Sequence, residues 1–290
     1  MATSQFLPGK RNHRKIRVAI IGAGISGLAV ANGLLKDSAR FDVQIFERNT
    51  IAFNSERGGY QLRISANGLH APKTVSDLEL WSSIRDVWAQ DQAAAPTIVD
   101  PDTFAVRLRL GDLKLYPKSQ AIPRHGLRCA ILQPLLVQGR GHFNVFTRFE
   151  LMPGERGGVQ LYFDNQASKN ADILIASGGN GSQVSRQVGL ANKVNLQTQT
   201  VVQSRGISPR AVRDQLPESL VQFGSVMFLG GIDAAGFASV YDPKKNPITG
   251  ETKSYTLFWG PSIPRARYDD LMAKVDSNPQ EVIPQLIYYI

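Results

Sequence analysis

Cysteine is nearly absent from this sequence: Cys129 stands alone among 290 residues. That excludes a disulfide scaffold and a thiolate-built metal site, and it favours a reducing compartment, read here as cytoplasmic. Histidine is scarce as well. His13, His70, His125 and His142 are scattered along the chain, and no metal-ligating spacing joins them. There is no Gly-x-Ser-x-Gly elbow, so serine-hydrolase chemistry has no support. Acidic residues are missing from the opening stretch MATSQFLPGKRNHRKIR, where Lys10, Arg11, Arg14, Lys15 and Arg17 concentrate. Much of the formal charge of +9 (33 Lys+Arg against 24 Asp+Glu) sits there. A nucleic-acid-binding face would interleave its cations with aromatics on a folded surface, so residues 1–16 read as a disordered basic tail and no nucleic-acid partner is expected. A membrane span needs an unbroken apolar run of ~18 residues. The uncharged stretch between Arg17 and Lys36 is interrupted by Gly22, Gly24, Gly27, Asn32 and Gly33, so no transmembrane segment is expected.

At ~100–200 residues per domain, the length fits one large or two modest domains. The strongest signal lies near the start. Ile16–Ile21 (IRVAII) predicts a short, fully buried strand. Gly22, Gly24 and Gly27 follow in G-x-G-x-x-G spacing and open a predicted helix to about Lys36, with Ala31 and Leu34 facing inward. Asp42–Phe46 (DVQIF) predicts a second strand, closed by Glu47. Each residue type has a reason in a dinucleotide-binding βαβ unit. Gly22 permits the tight turn, Gly24 leaves room for a pyrophosphate to approach the backbone, and Gly27 lets helix and strand pack closely. The helix N-terminus offers free N–H groups and partial positive charge to the phosphates. Glu47 would accept hydrogen bonds from an adenosine ribose, and its charge disfavours a 2′-phosphate. The unit therefore points to FAD or NAD, and spacing alone does not choose between them.

Beyond Glu47 the chain runs through Gly58-Gly59 into an alternating strand, then an Asn67-Gly68 turn and a predicted helix (GGYQLRISANGL). Ile122 to Leu136 (IPRHGLRCAILQPLL) reads as a loop carrying Arg124 and then a helix, and Ala171–Ser177 (ADILIAS) as a third strand. This order of segments resembles the FAD-dependent monooxygenases of the para-hydroxybenzoate hydroxylase type, over Arg17 to Leu190 and more loosely beyond. The resemblance implies an α/β fold. A Rossmann-like FAD-binding domain would take residues 17–80 and 122–190, interleaved with a mostly antiparallel β-sheet substrate domain over residues 81–121 and 191–290. It implies that Glu47 holds the adenosine ribose, that Gly58 and Gly59 lie along the flavin, and that Arg124 contacts FAD from the loop before its helix. NAD(P)H as co-substrate, O2 and a small organic substrate, aromatic or polycyclic, are implied too. Gly206–Leu220 (GISPRAVRDQLPESL) is similar to the segment that opens the substrate domain in microbial relatives, many of which act on secondary metabolites. In such proteins the cofactor carries the chemistry, and no catalytic side chain is singled out here.

Two departures from that family's pattern bear on activity. Its second motif reads Gly-Ala-Asp-Gly, two residues, Ser, one residue, Val-Arg. Here the stretch is Ala176, Ser177, Gly178, Gly179, then Ser182, Val184 and Ser185, so Gly178 replaces the Asp and Ser185 the Arg, with Arg186 next. The third motif, Gly-Asp-Ala-x-His followed by prolines, has no match. No histidine follows His142, and Gly231-Ile232-Asp233-Ala234-Ala235 copies the letters without the spacing. The sequence ends on the apolar run LIYYI, from which a chain cut before its return to the FAD domain is expected. Two rivals stay open beside the monooxygenase: a truncated or decayed relative that binds FAD without turnover, and an NAD-dependent dehydrogenase.

Elsewhere, Ala105–Tyr116 (AVRLRLGDLKLY) predicts a hairpin around Gly111-Asp112, with Arg107, Arg109 and Lys114 on one solvated face. Gly224–Tyr241 and Thr252–Trp259 predict further strands of a substrate sheet. Phe237, Phe258 and Trp259 are candidates to line a pocket for an aromatic substrate, with plain core packing as the commoner role of such residues. His125, beside Arg124, reads as a surface-loop residue.

Overall fold

The computed structural model describes residues 14–49, 61–75, 77–88, 97–113, 119–137, 142–145, 149–154, 157–190, 199–201, 204–209, 215–230, 234–241, 254–266, 269–270 and 273. In chain order the elements begin with β1 (Ile16–Ile21), α1 (Ile25–Leu35), β2 (Phe41–Glu47), β3 (Gln61–Ser65), α2 (Ala66–Val75) and α3 (Leu78–Asp86). Next come β4 (Thr97–Val99), β5 (Val106–Arg109), β6 (Ser119–Pro123), α4 (Arg124–Val137), β7 (His142–Val145) and β8 (Phe149–Pro153). Then follow β9 (Val159–Phe163), β10 (Lys169–Ala171), β11 (Ile173–Ala176), α5 (Gln183–Gln187), β12 (Gln199–Val201) and β13 (Ser204–Pro209). The last are α6 (Glu218–Phe223), β14 (Ser225–Gly230), β15 (Ala234–Tyr241) and β16 (Ser254–Pro264). The chain divides into two interleaved units, Met1–Thr50 with Pro134–Ala191 and Ile51–Gln133 with Asn192–Ile290.

The first unit is Rossmann-like. Its strands run β11-β1-β2-β7, every neighbour parallel. A parallel strand covered on both faces is apolar throughout rather than alternating, and Val18, Ala19, Ile20 and Ile21 are all buried. α1 turns Gly27, Leu28, Ala31 and Leu35 inward. Leu35 takes the place expected for Leu34, because the inward stripe continues from Ala31 at i+4 spacing. The antiparallel strands β10-β9-β8 add a small second sheet. Leu161 of β9 joins Ala19, Ile21, Phe46, Ala171 and Val184 in one core, where the Phe46 ring stacks on Phe163 at 4.9 Å.

Asp172, between β10 and β11, fastens the start of β1. It accepts the Arg17 backbone N–H at 2.9 Å, the Arg17 side chain through Nε at 3.2 Å and Nη2 at 2.9 Å, and Arg14 Nη2 at 2.7 Å. The Arg17 guanidinium beside it holds the carboxyl well below the usual carboxylate range. Arg14, from the stretch read as a free tail, is thus held against the fold, while residues 1–13 lie outside the described ones.

The second unit is built on a seven-stranded sheet with main path β12-β16-β15-β14-β4-β5, and β13 also pairs with β16. Its pairings are antiparallel except β14 with β4. β3 and β6 form a separate antiparallel ribbon. Val99, Leu220, Val226, Phe228, Ala238 and Val240 make its main core. Gly236 of β15 leaves the space that the Phe228 ring fills.

Three local expectations are corrected. The turn expected at Gly111-Asp112 is a single 3-10 turn over Leu110–Asp112, β5 pairs back with β4, and residues 114–116 of the expected hairpin lie outside the described residues. The reversal lies earlier, at Asp100. Its carboxylate accepts the Arg107 guanidinium at 2.6 Å, the Thr103 N–H at 3.0 Å and hydroxyl at 2.9 Å, and the Asp102 N–H at 3.2 Å. Asn67-Gly68 is not a turn before α2 but part of its first turn, because the Ser65 hydroxyl accepts the Gly68 N–H at 3.2 Å and starts the helix directly. Arg124 does not sit in a loop either: β6 runs to Pro123 and α4 begins at Arg124.

Candidate dinucleotide site

The turn from β1 into α1 is built by three glycines with different duties. Gly22 has φ +106°, where side chains are rarely tolerated, and a Cβ there would lie 2.5 Å from the Ser177 carbonyl oxygen. A Cβ on Gly27 would meet the Gly22 carbonyl oxygen and lie 2.6 Å from Ser177 Oγ. At Gly24 nothing comes within 4 Å of the same position. Two glycines are therefore demanded by the fold, and the third borders open space. Gly24 is also the N-cap of α1, with no side-chain cap and no acidic residue in the first turn. The positive end of that helix faces no carboxylate of its own.

Glu47 closes β2 beside this turn. Its Oε2 accepts the Ala23 N–H at 2.9 Å and its Oε1 the Asn49 N–H at 2.8 Å. Gly22 N–H donates to Phe46 O at 2.8 Å, which ties the turn to the strand that carries the acid. Gly22, Gly24, Gly27 and Glu47 thus come together in the first unit.

Other predicted residues fall elsewhere. Arg124 opens α4 in the second unit, half-buried, with Arg128 buried one turn on. Gly58 and Gly59 lie outside the described residues, as does Lys114. His125 lies within α4 rather than in a surface loop, with its Nε2 3.4 Å from Cys129 Sγ, and burial pushes that thiol's pKa up. Arg107 is engaged by Asp100, and Arg109 by Asp112 at 3.4 Å and by the Phe223 ring at 4.9 Å, so neither is an idle cation. Among the described residues, no three of His, Cys, Asp and Glu gather as metal ligands, and no helix is long and apolar enough to cross a membrane.

The three candidate aromatics part company. Phe258 and Trp259 are successive residues of β16 and point to opposite faces of the sheet. Trp259 packs on the main core, whereas Phe258 meets Ala121 of β6, with Phe237 against them.

Sequence reasoning missed Ser177. Its hydroxyl lies 2.8 Å from Gly22 O and 3.0 Å from Ile21 O. The sequence signal was present, as the Ala-Ser-Gly-Gly run that ends β11. Next to it, Gly178 has little space: a Cβ would lie 3.3 Å from Ser182 Cα. Ser182 caps α5 by accepting the Ser185 N–H at 3.2 Å, and Arg186 donates to Gly181 O at 3.2 Å.

A parallel βαβ unit with this glycine turn and this acid defines a Rossmann-like dinucleotide-binding class. The profile of a family described as an NAD(P)-binding Rossmann-like domain matches residues 20–81. No curated protein matches the sequence. Among solved structures, the chain is similar to a protein of Photorhabdus luminescens subsp. laumondii TTO1 assigned as an FAD-containing monooxygenase. Identity is 20% and the TM-score 0.67, over 93% of this chain and 70% of that one. PqsL of Pseudomonas aeruginosa, assigned as an FAD-dependent monooxygenase, aligns at 15% identity and a TM-score of 0.62, over 90% of this chain and 64% of that one. The 2,6-dihydroxypyridine-3-hydroxylase of Arthrobacter nicotinovorans aligns at 15% identity and a TM-score of 0.60, over 86% of this chain and 56% of that one. The chain therefore has the fold of these proteins, an α/β Rossmann-like unit with an interleaved, mostly antiparallel sheet, and spans less than two thirds of the latter two.

Proposed function

We propose that this chain is an FAD-dependent monooxygenase that draws electrons from NAD(P)H, uses O2 and oxygenates a small aromatic or polycyclic substrate in the cytoplasm. The observation that carries the reading is the open space beside Gly24 at the uncapped start of α1, with Glu47 held next to the turn. In this reading a pyrophosphate would take that space, because Gly24 adds no side chain and the helix N-terminus favours an anion. In this reading Gly22, Gly24 and Gly27 shape the phosphate cradle, Glu47 accepts the ribose hydroxyls, and Gly58, Gly59 and Arg124 contact the rest of FAD. Bound FAD supplies the electron transfer and the oxygen activation. The first unit would carry the dinucleotide. The second would offer the substrate a sheet face around the half-buried Phe237, whose ring suits a flat aromatic partner.

Two further readings rest on specific observations. Gly178 is closed in by Ser182, with no acid at that place, and this favours a chain that binds FAD without turnover. The matching profile is described as NAD(P)-binding, which favours NAD as the rival ligand. The discriminating experiment supplies the purified chain with FAD and follows NADPH and NADH oxidation with a panel of hydroxylated and amino-substituted aromatic acids. Substrate-stimulated oxidation supports the monooxygenase. Bound FAD with no stimulation by any acid supports binding without turnover, and failure to bind FAD removes both.

A further inference from the structure

Ser177 meets the glycine turn through its backbone and, separately, through its hydroxyl. The backbone N–H donates to Ile21 O at 2.9 Å. The hydroxyl, with one proton to give, lies nearest Gly22 O at 2.8 Å. The Gly22–Ala23 peptide is planar and trans, so its C=O and its N–H point in opposite directions. The C=O runs to Ser177 of one flanking strand end, and the Ala23 N–H runs to Glu47 of the other at 2.9 Å. One peptide unit is thereby gripped at both ends. If it flipped, the Gly22 oxygen would face the Glu47 carboxylate, and the carboxylate would lose one of the donors that orient it. Alanine, which the motif resembled by this segment has at this place, makes no such bond.

Resting on the dinucleotide reading above, we infer that Ser177 is a positioning residue for the dinucleotide. By fixing the Gly22–Ala23 peptide, it sets the direction of the Glu47 carboxylate towards the ribose. The hydroxyl does this rather than the bulk of the side chain, because the bulk is already accommodated by Gly27, whose Cβ would stand 2.6 Å from Ser177 Oγ.

The test uses the full chain, its Ser177→Ala variant and its Ser177→Cys variant, whose somewhat larger thiol still fills the site but donates poorly. FAD affinity is read from flavin fluorescence, and backbone amide exchange is read at Ala23 and along β1. Both variants are expected to melt cooperatively and to bind FAD about fivefold more weakly, the value of one hydrogen bond. The Ala23 amide is expected to exchange faster while the β1 amides hold, a local pattern that a loss of overall stability would not produce. Parental affinity in Ser177→Ala overturns the inference, and so does parental affinity in Ser177→Cys, which would assign the role to packing. A parent chain that binds neither FAD nor NAD brings down the dinucleotide reading itself, and is seen before any variant is made.

Discussion

The β1–α1 turn and the β14–β16 strands are both tightly packed, but for opposite reasons. In the turn the backbone dictates the residues: φ at Gly22 and the closeness of Ser177 to Gly22 and Gly27 leave no choice of side chain. In the strands the side chains dictate the packing: Phe228 lies over Gly236, and Phe258 and Trp259 split between two faces. Backbone constraint is absolute and local, whereas side-chain packing is negotiable and spread over many neighbours. The first can hold a ligand site at fixed geometry, and the second can change its lining without changing the fold.

The sharpest way to break the comparison is Gly22→Val. It combines a left-handed backbone with a collision against the Ser177 carbonyl, and strain plus overpacking should cost about 4 kcal/mol in denaturant unfolding. Phe258→Ala should follow, at about 3 kcal/mol, because the buried ring leaves a cavity that neighbours close only in part. A loss at Gly22 no greater than at Phe258 would erase the proposed difference.

Asp172→Asn comes next, at about 1–2 kcal/mol, since it weakens charge-assisted bonds to Arg17 and Arg14. Its pH signature has a definite sign. The folded carboxyl titrates below its unfolded value of about 4, so its contribution is complete above that pH and fades as the pH falls further. The variant should lose stability less steeply than the parent below about pH 4, with the Asp100 carboxyl, also held low by Arg107, accounting for part of what remains. Parallel acid titrations of the two proteins check this.

Gly24→Ala should change stability least, by under about 1 kcal/mol, the cost of alanine at an N-cap. It should still weaken dinucleotide binding about tenfold, because its methyl enters the space a pyrophosphate would use. Stability and affinity thus part at Gly24 and fall together at Gly22.

The same contrast explains what could be read from the sequence. IRVAII, G-x-G-x-x-G and DVQIF announced β1, α1 and β2 because a parallel core strand and a glycine turn leave strict local marks. The reversal that pairs β5 with β4 was not legible because it depends on four hydrogen bonds at Asp100, one of them the ion pair to Arg107, which no dipeptide signals. Ser177 escaped notice because its partners lie 155 and 156 residues away in the chain. Phe258 and Trp259 looked alike in sequence, and only the sheet's alternation separates them.

The central claim is that the β1–α1–β2 unit holds FAD through Glu47 and the glycine turn. Titrating the purified chain and its Glu47→Ala variant with FAD and with NAD, by calorimetry, tests it most directly. Saturable FAD binding near one per chain, tighter than NAD and weakened at least tenfold in Glu47→Ala, is the predicted result. No FAD binding, or FAD binding indifferent to Glu47, would contradict it.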